Sequence, residues 1–515
     1  MSSKSGSLLH HASPIAHHGS LITDDRDMPL FTIEEIMEVT GARLVSGDFQ
    51  QVSRGGVRRL CTDSRTARRG DLFIALAGEQ FDGHRFVEAA LRLGAVGAIV
   101  QAGSWDQPPL PPTAVPVGPA RGRKTPAGIP LVLLVPDSLL AFQQLASHHR
   151  SRFRIPLVAV TGSNGKTTTK EMVALVLAER GTVLKTEGNL NNRIGVPLTL
   201  LRLTARHDAA VVEMGVDRKG QTTRLCEIAK PTVGVITNIG PDHLEFFGSM
   251  EVSAQAKGEL LDLLPDDGAV ALNADDPYFG YLAARAGCRV VSFGLAAGAQ
   301  VRALDVAPDP RGQTFQLMLP DRARGTRVLL PAHGAHNLSN ALAAAAVGYA
   351  LGLSGAAIAR GLSRFKPATM RSEVTVWKGL KLINDCYNAN PASMKAAITL
   401  LAGLAAGGRS IAVLGDMLEL GPEARAFHQE VGAYLAGQGI AHLIACGTFG
   451  HDLAEGARKA GLAPERIKEA PDSLAAGDLL KDFVQAGDVV LVKASRGMRM
   501  ERVIESLLKG KGRWL

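Results

Sequence analysis

The stretch Leu157-Val-Ala-Val-Thr-Gly-Ser-Asn-Gly-Lys-Thr-Thr-Thr-Lys-Glu171 reads as a buried strand, a glycine turn and the opening of a helix. At a helix N-terminus the first backbone N–H groups have no partner inside the helix, and the aligned peptide dipoles favour an anion there. Glycines at 162 and 165 let the chain turn tightly enough for those groups to converge on phosphate oxygens. Gly162, Ser163, Asn164, Gly165, Lys166, Thr167 and Thr168 are therefore candidate nucleotide-phosphate contacts, with Lys166 as a mobile cation and Thr167 offering its hydroxyl to Mg2+. The spacing departs from G-x-x-x-x-G-K-[ST]: Val160 stands where that pattern has glycine, and the loop runs T-G-x-x-G-K-T-T. A plain strand-to-helix turn has no need of Lys166 and Thr167 beside its glycines. The amphipathic pattern predicts a helix to Arg180, with Gly181 at the left-handed position that ends helices.

A nucleotide phosphate calls for a metal, and the next strand ends offer ligands. Val211-Val212-Glu213-Met214-Gly215 puts Glu213 just past an apolar run, and Ile236-Thr237-Asn238 leads to Asp242 and His243. Carboxylate and imidazole at neighbouring strand ends suit Mg2+, directly or through water, although each residue alone also reads as a capping carboxylate or a loop histidine. Lys257 falls in a helical pattern, Ser253-Ala-Gln-Ala-Lys257-Gly-Glu-Leu-Leu, where a lysine is ordinarily solvated. Asn189, Asn191, Asn192 and Arg193 form a cluster able to donate to phosphates or peptide carbonyls as well as to make a turn.

Outward from this stretch, residues from about 155 to 366 alternate apolar strand-like runs with helical patterns, which predicts a largely parallel sheet covered by helices. Leu157–Val160, Ala209–Val212 and Val233–Ile236 are the clearest strands. From about 367 onward the texture repeats, with Ile411–Leu414, Leu443–Ala445 and Val489–Val492 as apolar runs, and no G-x-G-x-x-G follows the first of its strands. The earlier part, from about 28 to 150, carries short runs such as Asp71–Ala77 and Ala95–Val100, interrupted by a segment from 108 to 130 with eight prolines and with Arg121, Arg123 and Lys124, read as an inserted flexible loop. The expected organisation is α/β in three domains after a disordered tail at 1–28. These are an N-terminal α/β domain at 29–150, a central phosphate-loop ATPase-type domain at 151–366 with a mostly parallel sheet, and a C-terminal Rossmann-like α/β domain at 367–515.

Composition sets outer bounds. At 515 residues the chain has room for about three domains. Hydrophobic residues at 46% and charged residues at 21% exclude a disordered or fibrous chain. Lys and Arg number 57 against 49 Asp and Glu, and that excess of +8, dispersed among only 5% aromatics, speaks for acidic or phosphorylated substrates and against nucleic acid. Five scattered cysteines without a CxxC pair imply reduced cytosolic thiols. The first 28 residues hold four histidines but no apolar core of a signal peptide. The uncharged stretch Ala341–Ala359 is Ala- and Gly-rich and broken by Gly352 and Ser354-Gly355, so two close-packed soluble helices are expected and not a membrane span.

The motifs together carry a resemblance. TGSNGKTTTKE, EGNLNNRIGVPLTLL, EMG, TNIGPDHLEFFGS, AKGEL, HGAHNLSNALAA, DCYNANPASMKAA, LGDMLELG and VKASRGMRME, in this order from 161 to 501, resemble the Mur ligases of bacterial peptidoglycan synthesis. Thr62-Asp63-Ser64-Arg65, Gly70–Gly78 and Asp82-Gly83-His84-Arg85-Phe86 are similar to the UDP-binding domain of that family.

The resemblance implies a cytoplasmic, monomeric ligase that uses ATP and Mg2+ to join D-alanyl-D-alanine to UDP-N-acetylmuramoyl-tripeptide through an acyl phosphate, in the cell-wall synthesis on which cell shape and division depend. It places residues 162–168 on ATP, Thr167 and Glu213 at one Mg2+, His243 at a second metal, and Lys257 at the position of a lysine that can be carbamylated into a metal-binding carboxylate. Lys166, Glu213, His243 and Lys257 become the catalytic candidates. Asn337 falls near adenine, Asp385 near the ribose and Arg371 near phosphate when domains close. Ser64, Arg65, Asp82, Gly83 and His84 fall on the UDP side, with Asn189, Asn191, Asn192, Tyr387, Asn388 and Asn390 as further substrate contacts. Three departures stand out: Ser372 where glycine is more usual, Pro241-Asp242 in place of Glu-Ala before His243, and Ala494 where glycine often precedes the Ser-Arg pair. The alternative within the family, addition of one amino acid to a UDP-linked dipeptide, lacks its DNPR signature here. Folylpolyglutamate synthetase would leave DSR and DGHRF unexplained. An ATPase coupled to nucleic acid would need a basic, aromatic face that the composition does not offer.

Overall fold

The computed structural model describes residues 29–47, 56–78, 81–105 and 130–509; the expected tail at 1–28, and the proline-rich segment apart from Pro130, lie outside them. Three sheets organise the chain. The first contains β1 (Arg43–Ser46), β2 (Arg59–Cys61), β3 (Asp71–Ile74), β4 (Gly97–Gln101) and β5 (Leu131–Val135), in the order β1-β5-β4-β3-β2 with only β1 antiparallel.

The central sheet has nine strands. They are β6 (Leu157–Thr161), β7 (Val183–Lys185), β8 (Ala209–Glu213), β9 (Val233–Ile236), β10 (Ala269–Asn273), β11 (Arg289–Gly294), β12 (Val301–Asp309), β13 (Gly312–Met318) and β14 (Thr326–Leu330), ordered β14-β13-β12-β11-β10-β9-β6-β8-β7. Strands from β7 to β12 run parallel, and β13 and β14 close the sheet as an antiparallel extension. The C-terminal sheet joins β15 (Glu373–Trp377), β16 (Leu380–Asp385), β17 (Ser410–Leu414), β18 (His442–Cys446), β19 (Ile467–Ala470) and β20 (Val489–Lys493) in the order β15-β16-β20-β17-β18-β19, with only β15 antiparallel.

Parallel strands are buried on both faces, and the side-chain alternation shows it. Along β6, Val158 and Val160 enter one core with Leu338 and Leu342 of the helix Ala335–Ala350, while Leu157 and Ala159 enter another with Leu225 and Leu260. In the C-terminal sheet Ala412 and Leu414 face one core and Ile411 and Val413 the opposite one. The uncharged stretch at 341–359 resolves into the helices Ala335–Ala350 and Gly355–Ser363, and no helix among the described residues is long and apolar enough to cross a membrane. All five cysteines are buried and unpaired.

One predicted boundary is corrected. The helix after the glycine turn spans Lys166–Leu177 and ends before Arg180, and Gly181 is not left-handed. Gly181 is small for a different reason: a Cβ there would run into the Asp208 carboxylate, which accepts the Thr182 N–H at 2.8 Å.

The helix Ser138–Ser151 couples the first sheet to the central one. Arg150 donates to the Ala229 and Ile155 carbonyls, and His149 Nε2 donates to the Leu203 carbonyl at 3.0 Å. A carbonyl only accepts, so His149 carries its proton on Nε2; its Nδ1 is buried without a partner, between the rings of Phe31 and Phe153. Burial lowers the His149 pKa from 6.5 to about 4. The unfolded chain binds this proton more readily, so the contribution is complete above pH 6.5 and is lost as pH falls toward 4. Urea titrations should show the wild type losing about 2 kcal/mol more stability between pH 7 and 5 than His149→Gln, which keeps a donor but does not titrate; equal losses would refute this.

Candidate active site

The turn after β6 is shaped by two glycines and the strand beside it. Gly162 (φ +132°) and Gly165 (φ +80°) hold conformations that L side chains rarely adopt. A Cβ on Gly162 would overlap Thr237 Oγ1, and one on Gly165 would overlap Asn340 Oδ1. Thr237 and Asn238, just past β9, fasten the loop: Thr237 Oγ1 donates to the Asn164 carbonyl (2.5 Å), and the Asn164 and Ser163 N–H groups donate to Asn238 Oδ1 (3.0 Å) and its carbonyl (2.9 Å). Val160 needs no glycine because β6 continues through Thr161 and Val160 is core. The N-cap, Gly165, supplies no side chain to the first N–H groups of the helix Lys166–Leu177, which leaves them for a ligand. Lys166 Nζ donates to the Gly162 and Ser163 carbonyls at 2.6 and 3.1 Å, holding the ammonium over the turn.

Glu213 ends β8 and is buried. Its Oε1 accepts from Thr167 Oγ1 (3.2 Å) and Asn191 Nδ2 (2.9 Å), whereas Oε2 has no hydrogen-bond partner and lies 3.7 Å from the buried Lys170 Nζ. Asp242 is similar: Oδ1 accepts from Ser163 Oγ (2.5 Å) and Lys257 Nζ (3.0 Å), and Oδ2 is buried without a partner. Burial alone would raise the Asp242 carboxyl, but the charges of Lys257 and Lys166 outweigh it and hold it below the usual carboxylate range.

Lys257 is not solvated, as its helical pattern alone suggested. Its side chain is 1% exposed, donates also to Ser253 Oγ (2.6 Å), and sits 4.5 Å above the Phe247 ring. Burial lowers its pKa, with Asp242 opposing the shift. A buried carboxylate oxygen without a partner, next to a hydroxyl, suits a small hard cation. Among the described residues no three or more His, Cys, Asp or Glu gather to hold a metal. The donor set therefore fits Mg2+ held by few protein ligands and completed by phosphate oxygens and water.

A cavity of about 620 Å³ opens beside the turn. From the central domain it is lined by Ser163–Thr168, Asn189, Asn191, Asn192, Glu213, His243 and Asn337; from the C-terminal domain by Arg371, Asp385, Tyr387, Asn388 and Asn390; from the first domain by Ala77 and Gly78. Asn192 Oδ1 accepts the Ile194 and Gly195 N–H groups, and Asn337 Nδ2 donates to the His333 carbonyl. Asp385 ends β16; its Oδ2 accepts from the buried Lys493 Nζ (2.6 Å) and its Oδ1 from the Ser372 N–H (2.8 Å). The Arg371 guanidinium stacks 3.9 Å from the Tyr387 ring centre. Asn390 caps the helix Pro391–Ala405 and donates from Nδ2 to Asn164 Oδ1 at 2.8 Å, a direct bond from the C-terminal domain to the phosphate loop. Ser372, at φ +48°, bonds His336 Nε2 through its hydroxyl (3.1 Å).

Gly162 and Lys257 do not line the cavity, nor do Ser64, Arg65, Asp82, Gly83 and His84. Arg65 is exposed and pairs with Asp63, and Ser64 is buried. Asp82 accepts the His84 N–H and Nδ1–H, and His84 Nε2 accepts the Gln101 N–H at 2.9 Å, so this imidazole is neutral and closes a loop of the first domain. Sequence reasoning missed Asn340 and Lys493. Lys493 had a signal, since it follows the apolar run Val489–Val492 just as Glu213 follows its own.

Because Gly165 is fixed by both torsion and space, Gly165→Ala should weaken ATP binding by about tenfold or more, measured by calorimetry, while the folded chain persists. Unchanged affinity would show that the turn tolerates a side chain.

Comparison with known proteins agrees with this geometry. Residues 57–123 match the Mur ligase family catalytic domain, 160–348 the Mur ligase middle domain and 370–496 the Mur ligase glutamate ligase domain. The UDP-N-acetylmuramoyl-tripeptide--D-alanyl-D-alanine ligase of Bacillus subtilis is 37% identical over 93% of this chain and 98% of its own. That of Escherichia coli is 34% identical over 92% and 98%. The crystal structure of MurF from Acinetobacter baumannii superposes with a TM-score of 0.82 at 31% identity, covering 93% of this chain and 99% of that one. With its three sheets, phosphate loop and shared cavity arranged in this way, the chain belongs to the Mur ligase family.

Proposed function

We propose that this chain is the ATP-dependent ligase that joins D-alanyl-D-alanine to UDP-N-acetylmuramoyl-tripeptide, completing the UDP-linked pentapeptide. The observation that carries the reading is the single cavity to which the phosphate loop, the C-terminal Arg371–Asn390 segment and the edge of the first domain all contribute. A ligase with a large UDP-linked acceptor, a nucleotide and a dipeptide needs such a meeting point. The relatives' shared name supplies the substrates.

The reaction is phosphoryl transfer followed by acyl transfer. A carboxylate oxygen of the tripeptide takes the γ-phosphoryl group as its bond to ADP breaks; the amine nitrogen of D-alanyl-D-alanine then bonds to the acyl carbon, loses a proton and expels phosphate. Positioning and charge neutralisation dominate such chemistry. The N–H groups of the Gly165–Thr168 turn and Lys166 bind ATP phosphates, and Arg371 brings a further cation from the C-terminal domain. Thr167 and Glu213 would hold Mg2+, with His243 near a second ion, and that metal would draw charge from the transferring phosphoryl group. Asp385, fixed by Lys493 and Ser372, orients the nucleotide from the C-terminal side. Asn191 is held by Glu213 and faces the acceptor.

Burial makes the Lys257 amine easier to deprotonate, and the neutral amine is the form that takes up CO2 as a carbamate. Lys257→Ala should lose most activity and recover part of it with added acetate; unimpaired turnover would remove Lys257 from the mechanism. The substrate assignment is tested by ADP release with ATP, Mg2+ and D-alanyl-D-alanine, comparing tripeptide and dipeptide acceptors. Turnover with the tripeptide alone, giving a product heavier by one D-alanyl-D-alanine, is expected. Turnover with neither leaves the phosphate loop intact but the substrates wrong.

A further inference from the structure

Two loops from different domains meet beside the cavity. His243 lies between β9 and the helix Met250–Asp262 of the central domain, and Glu419 follows β17 of the C-terminal domain. His243 Nδ1 and Glu419 Oε2 are 2.5 Å apart, and the Glu245 N–H donates to the Glu419 carbonyl at 3.2 Å. A carboxylate only accepts, so Nδ1 carries a ring proton and donates it to Glu419. Both residues are left-handed, His243 at φ +51° and Glu419 at φ +62°. Non-glycine residues hold that conformation when their surroundings over-determine it, and such strain gathers at functional sites.

The pair connects inward. The His243 ring meets the Phe247 ring edge to face at 6.5 Å, and Phe247 carries Lys257 Nζ on its face. Lys257 bonds Asp242, and Asp242 bonds Ser163 of the phosphate loop. A contact made only when the C-terminal domain lies against the central one therefore ends, through packed neighbours, at the nucleotide site.

Resting on the ligase reading above, we infer that Glu419 is a positioning residue that fixes the orientation and tautomer of His243 from the C-terminal domain, and so ties the seating of that domain against the central one to assembly of the site. Glu419 is half exposed and lines a smaller cavity of about 110 Å³ that shares His243, Asn388 and Asn390 with the large one, and its carboxylate bonds His243 there, so it acts through His243.

The test uses the full chain with two variants. Glu419→Gly tolerates the left-handed backbone and removes the whole side chain; Glu419→Gln keeps an acceptor on a side chain of the same length. Nitrogen-labelled histidine spectra of the ligand-free chain should show His243 as the Nδ1–H tautomer in the wild type and in Glu419→Gln, and as a mixture in Glu419→Gly. Glu419→Gly should reduce kcat by about tenfold with KM for ATP within about twofold, since the Glu419 carboxylate bonds His243 and none of the groups assigned to ATP, and Glu419→Gln should restore most of kcat. An unchanged tautomer in Glu419→Gly, or unchanged kcat, would overturn the inference. The spectra need no substrate, so a wrong substrate assignment would leave that readout standing while silencing the kinetics.

Discussion

The turn between β6 and the helix Lys166–Leu177 is the constraint on which the rest depends. β6 is buried on both faces, so a shift of one residue would exchange two cores at once, and its register is held firmly. The loop that follows cannot slide, and its glycines are pinned by Thr237 and Asn340 from neighbouring elements. The exposed N–H groups, Lys166 and Thr167 therefore point from a rigid base. The C-terminal domain meets this base through Asn390, Ser372 and Glu419.

Three lysine–carboxylate pairs, each with its lysine buried, surround the site: Lys170 with Glu213, Lys257 with Asp242 and Lys493 with Asp385. Taking charges from water costs several kcal/mol per ion, and such pairs often add little net stability. Their return is geometric. Each carboxylate ends or follows a strand and has beside it a lysine that is itself fixed, which is the preorganisation that charge-transfer chemistry favours.

Much of this was legible in the sequence because local rules decided it. The strand runs, the phosphate-loop glycines, Glu213 at its strand end and the two helices within the uncharged stretch all follow from periodicity and turn chemistry. The helix ending at Leu177 was misread because Gly181 serves close packing against Asp208, a long-range demand that mimics a helix stop. Lys257 was ambiguous for the same reason, since nothing in its own helix reveals that Phe247, Ser253 and Asp242 enclose it. Glu419 meets His243 only where two domains far apart in sequence come together, and Lys493 meets Asp385 only where β20 pairs with β16 in the C-terminal sheet. The motif resemblance supplied roles that spacing alone could not, while the structure shows His84 engaged in closing its own loop.

The distribution of thiols has a consequence of its own. Cys61 lies in the first domain, Cys226 and Cys288 in the central one, and Cys386 and Cys446 in the last, all buried. Burial pushes Cys226, Cys386 and Cys446 up to about 12, so their reactive thiolate is scarce at neutral pH while the fold is closed. The central and C-terminal domains thus each carry a native, silent alarm whose chemistry switches on when that domain opens, and the rate of its modification reads the breathing of one domain apart from the other.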